Sequence, residues 1–167
     1  MKNSFIALAM ALLSCAPLVA QNTPAAAVMA TALADSGITY LSETRPAADA
    51  AFYVYLSSAS WCPPCRAIMP KVVAQYPEIK AAGGEVILLC FDGTPQAGQA
   101  YLKKYNAAFP AIMCNAKTVR AMEAKLPGFK APRGIPNVIF VTPDGKAIHN
   151  GHGSTVLDWR NITSSAK

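Results

Sequence analysis

Ser58-Ala59-Ser60-Trp61-Cys62-Pro63-Pro64-Cys65-Arg66 is the stretch whose reading decides the fold. Ahead of it, Phe52 to Ser57 is a short apolar run that reads as a buried strand. Behind it, Pro63 to about Lys80 carries helical spacing, with Ile68, Val72 and Val73 on one apolar stripe and Gly83-Gly84 as the stop. Cys62 therefore falls at a strand-to-helix junction. The free backbone donors and the dipole of the helix start favour a thiolate there, which makes Cys62 the attacking sulfur. Cys65, one turn on, faces it at a separation compatible with a disulfide and becomes the resolving thiol.

Around these residues the chemistry is favourable to a thiol. Pro63 is tolerated because the first helical turn has no internal acceptor for the N–H it lacks, and Arg66 adds a cation near the thiolate. A lone CxxC is also half of a zinc site or a plain brace. Zinc normally takes four ligands and no second CxxC exists, while His149 and His152 read as surface residues beside a turn, so no metal is expected.

Outward from the motif, apolar runs alternate with amphipathic segments, the pattern of βαβ units around a mostly parallel sheet. Val86 to Phe91 reads as a strand, Gln96 to Tyr105 as a helix, Pro110 to Met113 as an edge strand and Ala116 to Lys125 as a helix. Asn137 to Thr142, the turn Pro143-Asp144-Gly145 and Lys146 to His149 read as a hairpin, with Ser154 capping a short final helix. Pro136, after Gly134 and Ile135, opens the strand of that hairpin, either as a deliberate cis proline or as an ordinary strand opener.

The chain of 167 residues, 53% apolar and 14% charged, suits one domain with a sizeable core and excludes a disordered protein. Its first 20 residues do not belong to that domain. Lys2 and the apolar run Phe5 to Leu13, followed by small residues, have the layout of a secretory signal that is too short to span a bilayer. Two processing routes are open: cleavage after Ala20, or lipidation of Cys15 in the lipobox-like Leu12-Leu13-Ser14-Cys15. Residues 21–37 read as a linker or loose segment, and 38–167 as the folded domain.

Export places the remaining cysteines, Cys62, Cys65, Cys90 and Cys114, where disulfides persist. Cys90 and Cys114 end two apolar strand-like runs, and a second disulfide between them and a pair of buried thiols are both open readings. The net charge of +6 sits between Lys103 and Arg133, where Glu123 is the one acid, and reads as a solvated face. Nothing in it has the aromatic interleaving of a nucleic-acid surface.

The quoted motif, Pro70 in the following helix and Gly134-Ile135-Pro136 resemble the tryparedoxin and nucleoredoxin branch of the thioredoxin superfamily, over about Ile38 to His152. That resemblance implies a thioredoxin-like α/β fold, a central mixed sheet flanked by helices. It implies Cys62 as nucleophile, Trp61 packed over the site, and Ile135-Pro136 as a cis-proline loop beside the disulfide, the Ile135 backbone holding an extended client strand. Two departures stand out. The export signal sets aside cytosolic donors and clients, so the chain resembles periplasmic thioredoxin-like proteins, a monomer fed by a membrane-associated electron donor. The buried acid that thioredoxins place just before the motif is missing, since Tyr55, Leu56 and Ser57 occupy that stretch.

These readings make the chain a thiol–disulfide oxidoreductase without a cofactor, most simply a reductase of exported proteins bearing disulfides. An oxidase or isomerase on the same scaffold, and a metal-carrying or client-binding module, are the alternatives. No Pro-x-x-x-Thr/Ser-x-x-Cys segment, the peroxiredoxin pattern, surrounds any cysteine. Pro63 and Pro64 delete two first-turn N–H donors, so moderate stabilisation of the Cys62 thiolate and a potential of roughly −200 to −280 mV are expected.

Overall fold

The computed structural model describes residues 38–165 except 48 and 127. The segments expected as a signal and a linker, with Cys15, lie outside these residues. In chain order the elements are β1 (Phe52–Ser58), α1 (Pro63–Ala81), β2 (Gly84–Cys90), α2 (Pro95–Tyr105), β3 (Ala111–Met113), α3 (Ala116–Lys125), β4 (Asn137–Val141), β5 (Ala147–His152), a 3-10 helix (Gly153–Asp158) and α4 (Trp159–Ser164).

The five strands form one sheet in the order β3-β2-β1-β4-β5. β1 pairs in parallel with β2, and β2 with β3; β4 runs antiparallel to β1, and β5 to β4. The sheet is therefore mixed, as the resemblance implied, rather than mostly parallel. The two βαβ crossovers account for the parallel half. The β4–β5 hairpin turns back through Gly145, whose φ of +85° suits glycine, and supplies the antiparallel half.

Side chains alternate across the sheet and build two cores. Phe52, Val54, Leu56, Val86, Leu88, Val138 and Phe140 face Ile68, Met69, Val72 and Ile79 of α1, Leu102 of α2, and Val156 and Trp159 near the C-terminus. Tyr53, Tyr55, Ile87, Leu89, Ile112 and Ile139 face Val119 and Met122 of α3, with Leu126 and Phe129 beyond it. β1 and β2 are buried along their whole length, which is why both read as continuous apolar runs. At the far end of the sheet from the motif, buried Glu85 accepts from the Tyr76 hydroxyl at 2.9 Å, Lys80 Nζ at 3.1 Å and the Ala47 amide at 3.0 Å.

One open reading is decided and two sequence expectations need correction. Cys90 and Cys114 are free, buried thiols. Cys90 is paired with Met113, so Cys114 is one residue out of register and its side chain belongs to the opposite face. Accordingly Cys90 packs with the α1-side core and Cys114 with the α3-side core, and the sheet stands between the sulfurs. Ser154 is not a cap: His152 caps the 3-10 helix, its Nδ1 accepting from the Ser154 amide at 3.3 Å, and α4 has no side-chain cap. The second hairpin strand begins at Ala147 and runs on to His152, after a bulge at Phe140/Val141.

Candidate active site

Cys62 is the N-cap of α1, with φ −86° and ψ 113°, and its sulfur accepts the Cys65 amide at 3.3 Å. Pro63 and Pro64 take the first two helical positions, so the Cys65 N–H is the first-turn donor that reaches this sulfur. The two cysteines are joined in a disulfide with Cα atoms 5.2 Å apart. Cys65 is wholly buried and Cys62 is 3% exposed, so the bond shows only an edge to solvent. Ala59 completes this small apolar cluster, with Phe91 and Ile135 packed against it.

From the opposite side comes the turn before β4. The Ile135–Pro136 peptide is cis, and the Ile135 carbonyl oxygen lies 3.6 Å from the Cys62 sulfur. In the reduced state that oxygen is an acceptor within sulfur hydrogen-bond range for a Cys62 thiol. The Pro136 carbonyl is held by the Gly153 amide at 3.0 Å, which ties the loop to the 3-10 helix.

Above the disulfide lies an open groove of about 500 Å³, lined by Trp61, Cys62, Pro63, Pro64, Phe91, Pro132, Arg133, Gly134 and Ile135. Trp61 is 61% exposed, far more than any other large apolar side chain described, and its indole N–H reaches the Phe91 carbonyl at 3.3 Å. The ring thus leans along the groove wall instead of entering the core. Of the residues expected at the site, Trp61, Cys62, Pro63, Pro64 and Ile135 line this groove, Cys65 is wholly buried, Pro136 follows Ile135 through the cis peptide, and Arg66 is not part of the lining. The Arg66 guanidinium donates to the Ser60 carbonyl at 2.9 Å, a bond that fixes the loop before Cys62 rather than the sulfur.

Sequence reading missed one acid. Asp92, just beyond β2 and 6% exposed, accepts from the Ser60 amide at 3.1 and 3.2 Å, from the Ser60 hydroxyl at 2.6 Å and from the Cys90 thiol at 3.1 Å. A carboxyl group does therefore sit beneath the motif, contributed by the neighbouring strand. Burial, with Asp92 alongside, pushes the Cys90 thiol up to about 12, and burial does the same to Cys114. Neither thiol resembles a nucleophile. Among the described residues no group of three or more His, Cys, Asp and Glu is placed to hold a metal ion, and no helix is long and apolar enough to cross a membrane.

Comparison with known proteins agrees with this geometry. The AhpC/TSA family model matches residues 22–149. The thiol-disulfide oxidoreductase ResA of Oceanobacillus iheyensis is 28% identical over 100 residues, 60% of this chain and 48% of that one. Human nucleoredoxin is 32% identical over 93 residues, 54% of this chain and 20% of its own length. The chain thus spans about half the length of ResA and a fifth of nucleoredoxin. Among solved structures, a thiol:disulfide interchange protein of the thioredoxin family from Chlorobium tepidum superposes with a TM-score of 0.55 at 21% identity, covering 69% of this chain and 79% of that one. Tryparedoxin II from C. fasciculata gives 0.53 at 24% identity, covering 66% and 70%. Both likenesses establish the thioredoxin fold.

Proposed function

The chain belongs to the AhpC/TSA family, and from that premise we propose that it is a thiol–disulfide oxidoreductase acting as a reductase of disulfides in exported proteins. One observation carries the reading: a Cys62–Cys65 disulfide at the first turn of α1, its outer sulfur beside the Ile135 carbonyl and open to the Trp61 groove. A brace would have no reason to present one sulfur at a groove edge while sealing the other.

In the reduced protein the Cys62 thiolate attacks one sulfur of a client disulfide and expels the other as a thiolate that takes up a proton. Cys65 then attacks the Cys62 sulfur of the mixed disulfide, and the second client thiol leaves with the proton from Cys65. The client gains two electrons and two protons, and the Cys62–Cys65 bond is restored. The stretch through Ile135, at the edge of the groove ahead of β4, receives the client as an extended segment. A membrane-associated donor returns the dithiol, and the N-terminal segment delivers the protein to the periplasm, by cleavage or by a lipid on Cys15.

Insulin reduction driven by dithiothreitol tests the activity. We expect turnover by the wild type, none by Cys62→Ser, and a stable mixed disulfide through Cys62 in Cys65→Ser. A wild type that reduces no faster than dithiothreitol alone would leave only a binding role for the cysteine pair.

A further inference from the structure

We propose that Asp92 is a positioning residue which, with Arg66, clamps the Ser60 peptide and so holds Cys62 within closing distance of Cys65. This rests on the reading above that Cys62 is the attacking sulfur.

Ser60 is two residues before the nucleophile, in the turn between β1 and α1, and every polar group it owns is engaged. Its N–H is shared between the two Asp92 oxygens at 3.2 and 3.1 Å, and its hydroxyl donates to Oδ1 at 2.6 Å. Its carbonyl accepts from Arg66 Nη1 at 2.9 Å. The donors of one residue thus face a carboxyl group fixed to the β2 terminus, and its acceptor faces a guanidinium fixed to the first turn of α1. Asp92 itself is 6% exposed and takes a third donor, the Cys90 thiol at 3.1 Å, so its own position is set by the sheet. Charge-assisted bonds to a buried group are short and directional. The turn that carries Cys62 is therefore referenced both to the helix it leads into and to β2, the parallel neighbour of the strand it leaves.

What the clamp controls is ring closure. The first step, attack on an outside disulfide, needs only an accessible thiolate. The second needs the Cys65 sulfur to reach the Cys62 sulfur of a mixed disulfide along the S–S axis, and its rate follows the effective concentration of one sulfur at the other. A loosened Ser60 turn lets Cys62 drift outward, lowering that concentration without altering the attack on clients. The same loss weakens the disulfide relative to the dithiol, so the pair becomes more oxidising.

Stopped-flow reaction of the reduced protein with glutathione disulfide separates the two steps, because Cys62 first forms a glutathione adduct that Cys65 then displaces, releasing glutathione. We expect Asp92→Asn to form the adduct at the wild-type rate but to close it about tenfold more slowly, with a potential about 30 mV less negative, the equivalent of a tenfold change for a two-electron couple. Ser60→Ala, which removes the hydroxyl bond and leaves all charges in place, should slow closure about threefold. It decides the matter alone if Asp92→Asn fails to fold by circular dichroism. Closure at the wild-type rate in the folded variants overturns the clamp and leaves the oxidoreductase reading intact. Failure of the wild type to form any adduct on Cys62 overturns both.

Discussion

The carbonyl oxygen of Ile135 stands 3.6 Å from the sulfur of Cys62, although 73 residues separate them. The contact joins the two halves of the sheet: Cys62 follows β1, and Ile135 precedes β4, the antiparallel neighbour of β1. Anything that moves the Ile135–Pro136 loop therefore moves an acceptor and a groove wall at the nucleophile.

Gly153 is the rear support of that loop. A Cβ added there would fall 2.5 Å from Pro136 Cβ and 3.0 Å from its Cγ, contacts that a rigid ring cannot relieve by rotation. Gly153→Ala should destabilise the protein by about 1–3 kcal/mol, as overpacking generally does, and lower insulin reduction more than Gly93→Ala, whose Cβ meets open space. Urea denaturation of the two variants checks this, and equal midpoints would refute it.

Because the sheet separates Cys90 from Cys114, air-oxidised protein should contain both as thiols. In a Cys15→Ser background we expect two thiols by Ellman titration after denaturation and none rapidly reactive before it. A count of zero after denaturation would restore the bridge.

The same pair shows why part of the structure was legible in the sequence and part was not. The Cys62–Cys65 site could be read because its partners are three residues apart on a helix start, where spacing fixes geometry. That the runs leading to Cys90 and Cys114 lie side by side and parallel followed only from the family resemblance, and the pairing of β2 with β3 agrees with it. Whether their sulfurs meet depends on a one-residue register that no local pattern encodes. Asp92 escaped notice for a related reason: a search for an acid just before the motif looks along β1, whereas the fold supplies it from the end of β2. One local cue was present, the break of an apolar run by an acid at Cys90-Phe91-Asp92. Arg66 was read as a cation near the thiolate, whereas its guanidinium donates to the Ser60 carbonyl, a target set by the fold of the turn that no local pattern encodes.

Alkaline pH should destabilise the fold. Burial raises Cys90 and Cys114 from 9.0 to about 12 and, helped by its neighbours, Tyr101 from 10.0 to about 12. The folded chain keeps these protons to higher pH than the unfolded chain does. Their contribution is thus complete below about pH 9 and is lost as pH rises toward about 12. We expect the urea midpoint to fall between about pH 9 and about pH 11, and to fall less steeply in Cys90→Ala. A flat profile would contradict the burial of these groups.

Trp61 offers a test of the groove that leaves the fold alone. With 61% of the residue exposed and one indole bond to the Phe91 carbonyl, Trp61→Ala should shift stability by no more than about 0.5 kcal/mol. Its KM for insulin should rise several-fold while attack on glutathione disulfide is unchanged. An unaltered KM would remove Trp61 from client binding.

The direction of electron flow is tested most directly by the reduction potential of the Cys62–Cys65 pair, equilibrated with glutathione buffers and read by thiol trapping. Two prolines open α1, so the Cys62 sulfur accepts the Cys65 amide at 3.3 Å in place of a full set of first-turn donors, and the thiolate is only moderately stabilised. We expect a value of roughly −200 to −280 mV, that of a pair which gives electrons to client disulfides, whereas a value above about −150 mV would make the protein an oxidant and contradict the reductase assignment.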